Sequence, residues 1–134
     1  MLFQNVIGQN DLKQKLLQEV KDQKVSHAQL FTGYSGFGTL PLALAFAQLL
    51  FCEEPKENDS CGVCSSCIQV KDLQHPDLHF SFPTVQGISK VSDGLISEWR
   101  EQIKEMPYFS SFDWIKRIDP KEGNPIISVF ESKE

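Results

Sequence analysis

All four cysteines of this 134-residue chain fall in one stretch, Cys52, Cys61, Cys64 and Cys67, with the spacing C-x8-C-x2-C-x2-C. Two residues between cysteines permit a tight turn that points both sulfurs at one centre, and four thiolates make the closed tetrahedral shell of structural zinc. Cys61-Gly62-Val63-Cys64 supplies the small turn residue that such a knuckle favours. Disulfides are disfavoured in a reducing compartment, and a C-x-x-C redox pair would leave two of the cysteines without a role. With sulfur at every position no site stays open for a reacting water, so the expected role is structural and not catalytic. The intervening Glu53-Glu54-Pro55-Lys56-Glu57-Asn58-Asp59-Ser60 is polar and helix-breaking, a surface loop that the metal would close.

Upstream, Gly33-Tyr34-Ser35-Gly36-Phe37-Gly38-Thr39-Leu40 has the outline of a phosphate-binding loop. A working loop reads G-x-x-x-x-G-K-[ST]: the glycines let backbone N–H groups curl around phosphates, the lysine reaches the β and γ oxygens, and the hydroxyl holds magnesium. Here Thr39 stands at the lysine position and Leu40 at the hydroxyl position. Thr39 cannot neutralise phosphate charge, and Leu40 cannot join a shell of hard oxygen ligands. Gly33, Gly36, Gly38 and Thr39 are therefore read as a vestigial nucleotide loop, with ATP not bound. Three glycines alone would equally suit an ordinary turn, but the flanks add context. Ala28-Gln29-Leu30-Phe31-Thr32 reads as a short strand, and Leu42 to Phe51 as a helix rich in strong helix formers, with Thr39 as its N-cap and Pro41 tolerated in the first turn.

Size and charge narrow the class. At 134 residues there is room for one core and not for two full domains. A net charge of −5 and an isoelectric point near 5.2 argue against a broad basic face gripping a nucleic-acid backbone. No apolar run approaches the ~20 residues of a membrane helix, and Met1-Leu2-Phe3-Gln4-Asn5 lacks the basic-then-apolar layout of a signal peptide. The chain reads as soluble and cytoplasmic.

Periodicity places the remaining parts. Asn10 is expected to cap a helix over Asp11 to Lys24, with Leu12, Leu16, Leu17 and Val20 as a core-facing stripe. A further helix is expected from Ser65 towards His75-Pro76, carrying Cys67, Ile68, Val70 and Leu73. Asp77 to Phe82 alternates like a strand ended by Pro83. Ser92 can cap a helix over Asp93 to Met106, with Leu95, Ile96, Trp99, Ile103 and Met106 on its apolar side. Phe112 to Ile118 is read as a short amphipathic turn or helix, covering the core in preference to making an exposed contact, Asp119 to Pro125 as a loop, and Ile126 to Phe130 as a short strand. For His27, His75 and His79, packing, capping or surface roles outweigh ligation, because four cysteines already complete a zinc shell.

Val6-Ile7-Gly8-Gln9, Ser26-His27-Ala28-Gln29-Leu30-Phe31, the loop at Gly33 to Leu40, the cysteine module and His75-Pro76-Asp77 together resemble the bacterial clamp-loader subunits of DNA polymerase III. These are AAA+ proteins that open the sliding clamp and place it on primed DNA. The resemblance covers roughly residues 1 to 83, and its specific part is the cysteine module after the loop's helix. It implies an α/β fold, part of a P-loop (RecA-like) parallel sheet flanked by helices, with an inserted zinc module at about residues 52–67. It also implies Cys52, Cys61, Cys64 and Cys67 as zinc ligands, and Val6, Ile7 and Gly8 as the segment that would lie near adenine in an active relative. Implied partners are clamp-loader subunits of the gamma/tau and delta types and, through them, the clamp and primed DNA. The gamma/tau branch keeps an intact lysine and hydroxyl and hydrolyses ATP, whereas the delta-prime branch commonly has a degenerate loop, and this chain resembles the latter.

The departures from the family pattern are informative as well. No Walker B run ending in paired carboxylates follows the loop, since Ile126 to Phe130 leads only to Glu131-Ser132-Lys133-Glu134. The sensor elements and the serine-arginine-cysteine motif are also absent, so an N-terminal part of a longer protein is expected. The rival readings are a gamma/tau-type ATPase with a drifted loop and a free-standing zinc module that binds nucleic acid or protein.

Overall fold

The residues after Gly38 are apolar on almost every helical face, and a helix of that kind must be surrounded by protein. In the computed structural model, which describes residues 1–121, 123–128 and 131, this helix is the centre of the first of two compact units, Met1–Leu78 and His79–Glu134. The first unit comprises a 3₁₀ turn at Phe3–Asn5, α1 (Asn10–Lys21), α2 (Thr39–Phe51) and α3 (Ser65–Lys71). Leu42, Ala45, Phe46 and Leu49 of α2 pack with Phe3, Val6, Leu16 and Leu17. Burial of each large side chain contributes about 1.5–3 kcal/mol. Phe31 leans on Phe46 with ring centroids 6.1 Å apart.

Several boundaries differ from expectation for identifiable reasons. Asn10 is the first residue of α1 and not its cap, because Gly8 and Gln9 both take left-handed dihedrals (φ 66° and 60°) and turn the chain one residue earlier. The helix ends at Lys21 and not Lys24. Left-handed Gln23 (φ 54°) lets the Gln23 and Lys24 amides bond back to Val20 and Glu19, a Schellman closure. Left-handed Leu73 (φ 58°) stops α3 at Lys71 in the same way, with the Leu73 and Gln74 amides bonding to Val70 and Gln69. Thr39 is likewise the first helical residue of α2; the cap position belongs to Gly38, whose φ of 106° suits glycine.

Ala28 to Thr32 forms no ladder among the described residues. Alternation makes a segment extended, but strand hydrogen bonds need a neighbouring strand. The parallel sheet expected from the sequence is accordingly not present among the described residues, whose one sheet is a two-stranded antiparallel ribbon in the second unit.

That ribbon pairs β1 (Thr84–Val85) with β2 (Pro125–Ile126), Thr84 opposite Ile126 and Val85 opposite Pro125. Asp77 to Phe82 is not a strand; the backbone N–H and C=O of Phe82 are both bonded by the Ser92 hydroxyl, at 2.9 and 3.1 Å. Ser92 is thereby occupied and does not cap. The chain runs through a 3₁₀ turn at Ser92–Leu95 into α4 (Ile96–Glu105), burying Leu95, Trp99 and Ile103, while Met106 lies beyond the helix and exposed. α5 (Ser111–Ile118) covers the core with Trp114 and Ile115, as expected. Phe82 stacks on Trp99 at 4.3 Å, Trp114 stands edge-on to both rings, and its indole N–H donates to the Pro83 carbonyl at 2.7 Å. Of the strand expected at Ile126 to Phe130, Ile126 belongs to β2, Ile127 and Ser128 lie past its end, and Val129 and Phe130 lie outside the described residues. No helix among the described residues is long and apolar enough to cross a membrane.

Candidate metal centre and glycine loop

Three consecutive pieces of local structure bring the cysteines together. α2 ends with Cys52 at its C-cap, Gly62 (φ 76°) turns the Cys61–Cys64 knuckle, and Cys64 caps α3, its sulfur accepting the Cys67 amide at 3.4 Å. The four Sγ atoms lie within 4.8 Å of one another. Zn–S bonds of ~2.3 Å give tetrahedral edges of about 3.8 Å, and Cys61 and Cys67 stand at 3.9 Å.

Backbone amides face the sulfurs: Cys61 N–H donates to Cys52 Sγ at 3.2 Å and Cys64 N–H to Cys61 Sγ at 3.3 Å. The Val63 and Cys64 amides hold the Cys61 thiol down at about 6, because hydrogen bonds to a thiolate favour it. Burial pushes Cys67 up to about 12 and raises Cys52. A cation among the sulfurs supplies the charge compensation that a buried thiolate lacks. An all-sulfur donor set of this geometry can hold a metal ion and is consistent with zinc. Among the described residues no histidine joins the cluster: His27 and His79 are exposed, and His75 stacks on Phe51 at 4.1 Å while its Nδ1 accepts the Asp77 amide.

The sequence reading missed three residues in the intervening loop's surroundings. Ser60 is buried and accepts from the buried Gln48 side chain at 3.1 Å, and the Asp59 carboxylate collects backbone amides from the start of the chain. Two polar residues immediately before Cys61 were the available signal.

The glycine loop keeps a close approach between its ends. A Cβ on Gly33 would lie 2.9 Å from Thr39 Cγ2, so the side chain at the lysine position sits against the loop's first glycine. Gly36 (φ 79°) and Gly38 carry the turn, and the Phe37 amide donates to the Tyr34 carbonyl. Pro41, in the first turn of α2, has no N–H to offer an anion. The loop borders a hollow of about 470 Å³ whose walls include Gln9, Leu12, Lys15, Leu30, Tyr34 and Phe37. Leu12 thus faces this hollow instead of the core, and Leu30, Tyr34 and Phe37 are 87%, 80% and 74% exposed.

Residues 8–116 match the family described as DNA polymerase III, delta subunit. The chain is 34% identical over 83 residues to DNA polymerase III subunit delta' of Bacillus subtilis, covering 62% of this chain and 25% of that protein. It is 34% identical over 92 residues to subunit tau of the same organism, covering 68% of this chain and 16% of tau. Protein STICHEL-like 4 of Arabidopsis thaliana is 34% identical over 70 residues, 52% of this chain and 7% of that protein. The chain therefore spans a quarter or less of the length of these relatives. No solved structure matches it significantly. A match running from Gly8, two residues before α1, to near the end of α5 places this chain in the DNA polymerase III delta subunit family.

Proposed function

We propose that the chain is the N-terminal part of an AAA+ domain in a delta-prime-type clamp-loader subunit, contributing shape and subunit contacts without hydrolysing ATP. In this reading Cys52, Cys61, Cys64 and Cys67 hold a structural zinc ion, and Gly33, Gly36, Gly38 and Thr39 are a phosphate loop without its chemistry. The subunit works in the cytoplasm beside gamma/tau- and delta-type subunits, through which it meets the sliding clamp and primed DNA. A parallel sheet flanked by helices, as the family resemblance implies, belongs to the same proposal.

The observation that carries the reading is the residue set at the start of α2. Thr39 packs against Gly33 where a lysine would reach for phosphate, Leu40 offers no oxygen, and Pro41 offers no N–H. Loss of the cation and of one helix-terminal donor together removes most of what makes such a terminus hold anions. Likeness to both a delta' and a tau subunit supports the clamp-loader setting and leaves the choice of branch to this loop.

One observation favours the gamma/tau-type ATPase instead: the hollow beside the loop is of ligand size. Calorimetric titration with ATP and magnesium separates the two. No binding in the micromolar range is expected, and magnesium-dependent micromolar binding would overturn the proposal. Thr39→Lys with Leu40→Thr is expected to gain ATP affinity while hydrolysis stays absent.

A further inference from the structure

The loop between Cys52 and Cys61 holds the opposite end of its own unit. Asp59 Oδ1 accepts the Phe3 amide at 3.0 Å and the Ser60 amide at 2.8 Å, and Oδ2 accepts the Gln4 amide at 3.1 Å. The bonds to Phe3 and Gln4 span 56 and 55 residues of sequence. Next to them, Leu2 lies on Gly62 of the knuckle, its Cδ2 3.3 Å from where a Cβ would stand. Phe3 and Val6, the residues so positioned, are buried against α1 and α2. The Val6 carbonyl in turn accepts Lys13 Nζ of α1 at 2.6 Å, and Gln9 follows as part of the hollow's wall.

We propose that Asp59 is a positioning residue that couples metal binding by the cysteines to the docking of residues 2–6 on α1 and α2. The coupling rests on the reading of the four cysteines as ligands. Glu53 to Asn58 are exposed, and Asp59 is held in place by the Lys56 amide on its carbonyl at 2.8 Å, by the buried Ser60 that follows it and, one residue on, by the ligand Cys61. A metal ion that ties Cys61 to Cys52 closes this loop and fixes the carboxylate under the Phe3 and Gln4 amides. Without the ion the loop regains its freedom, and two amides lose a charged acceptor, the stronger class of hydrogen bond.

The test is residue-resolved amide hydrogen exchange on the whole chain, zinc-loaded and chelated, with zinc content measured alongside. Chelation is expected to speed exchange at Phe3 and Gln4 by about tenfold or more, with the α1 amide of Leu17 and the α2 amide of Phe46 changing far less. Asp59→Ala, with Asp59→Asn as the gentler variant, is expected to reproduce the faster exchange at Phe3 and Gln4 while zinc stays at one per chain. Uptake of zinc with no change at Phe3 and Gln4, or an equal rise throughout α1 and α2, overturns the coupling alone. A chain that takes up no zinc overturns the ligand reading and the coupling with it.

Discussion

Ser92 shows how one hydroxyl can decide a local path. It is fully buried, donates to the Phe82 carbonyl and accepts the Phe82 amide, and thereby uses the two backbone groups that a strand at Asp77 to Phe82 would have needed. Ser92→Ala leaves those groups buried without a partner and is expected to destabilise the second unit by about 1–3 kcal/mol, read as a lower urea midpoint of tryptophan fluorescence. Nothing in a serine before an amphipathic run distinguishes this role from an N-cap, because the partner is set through space. Asp59 and Gln48 belong to the same class: their amide and hydroxyl partners are far away in sequence. The cysteines and the glycine loop are the opposite case. Their chemistry is carried by residue type at short spacing, so Cys52, Cys61, Cys64 and Cys67 were legible as a cluster, and Thr39 and Leu40 as the residues that break the loop.

Among the elements, helices were legible and strands were not. Apolar spacing marked α1 to α5, but left-handed residues that no propensity favours, Gln9, Gln23 and Leu73, set three of their ends. α5 has a terminus whose chemistry is testable. The Ser110 hydroxyl accepts the Asp113 amide, and the Asp113 carboxylate accepts the Ser110 hydroxyl and amide, a reciprocal capping box. These bonds from Ser110 hold the Asp113 carboxyl below its ordinary value of 3.8. A depressed folded-state value means the contribution is present above the unfolded value and is lost as pH falls through the folded one. Acidification below about 3.8 is therefore expected to fray the start of α5, seen as faster exchange of the Asp113 and Trp114 amides. Ser110→Ala is expected to cost about 1 kcal/mol and to flatten that pH dependence. The strands at Ala28 to Thr32 and Asp77 to Phe82 failed because pairing is a property of two segments, and neither has a ladder partner among the described residues.

At the scale of the whole molecule, the division into Met1–Leu78 and His79–Glu134 puts the candidate metal centre and the glycine loop in the first unit and both tryptophans, Trp99 and Trp114, in the second. That separation makes metal removal diagnostic. Chelation is expected to lower the thermal midpoint of the circular-dichroism signal from the first unit's helices while the tryptophan fluorescence transition stays in place; a parallel fall of the tryptophan transition would refute it. The expectation of a single core was too coarse, since length bounds how much can be buried but not how the contacts partition. By itself the sequence determined the sulfur donor set, the broken phosphate loop, the central apolar helix and the family, because each is written in residue types at short range. Only the tertiary structure decided where helices stop, which side chains hold distant backbone, that Leu12 faces a hollow, and that the aromatic residues from Phe80 to Trp114 form a core of their own. Those outcomes depend on which groups meet across many intervening residues, and that choice is made by packing and hydrogen-bond satisfaction in the folded chain.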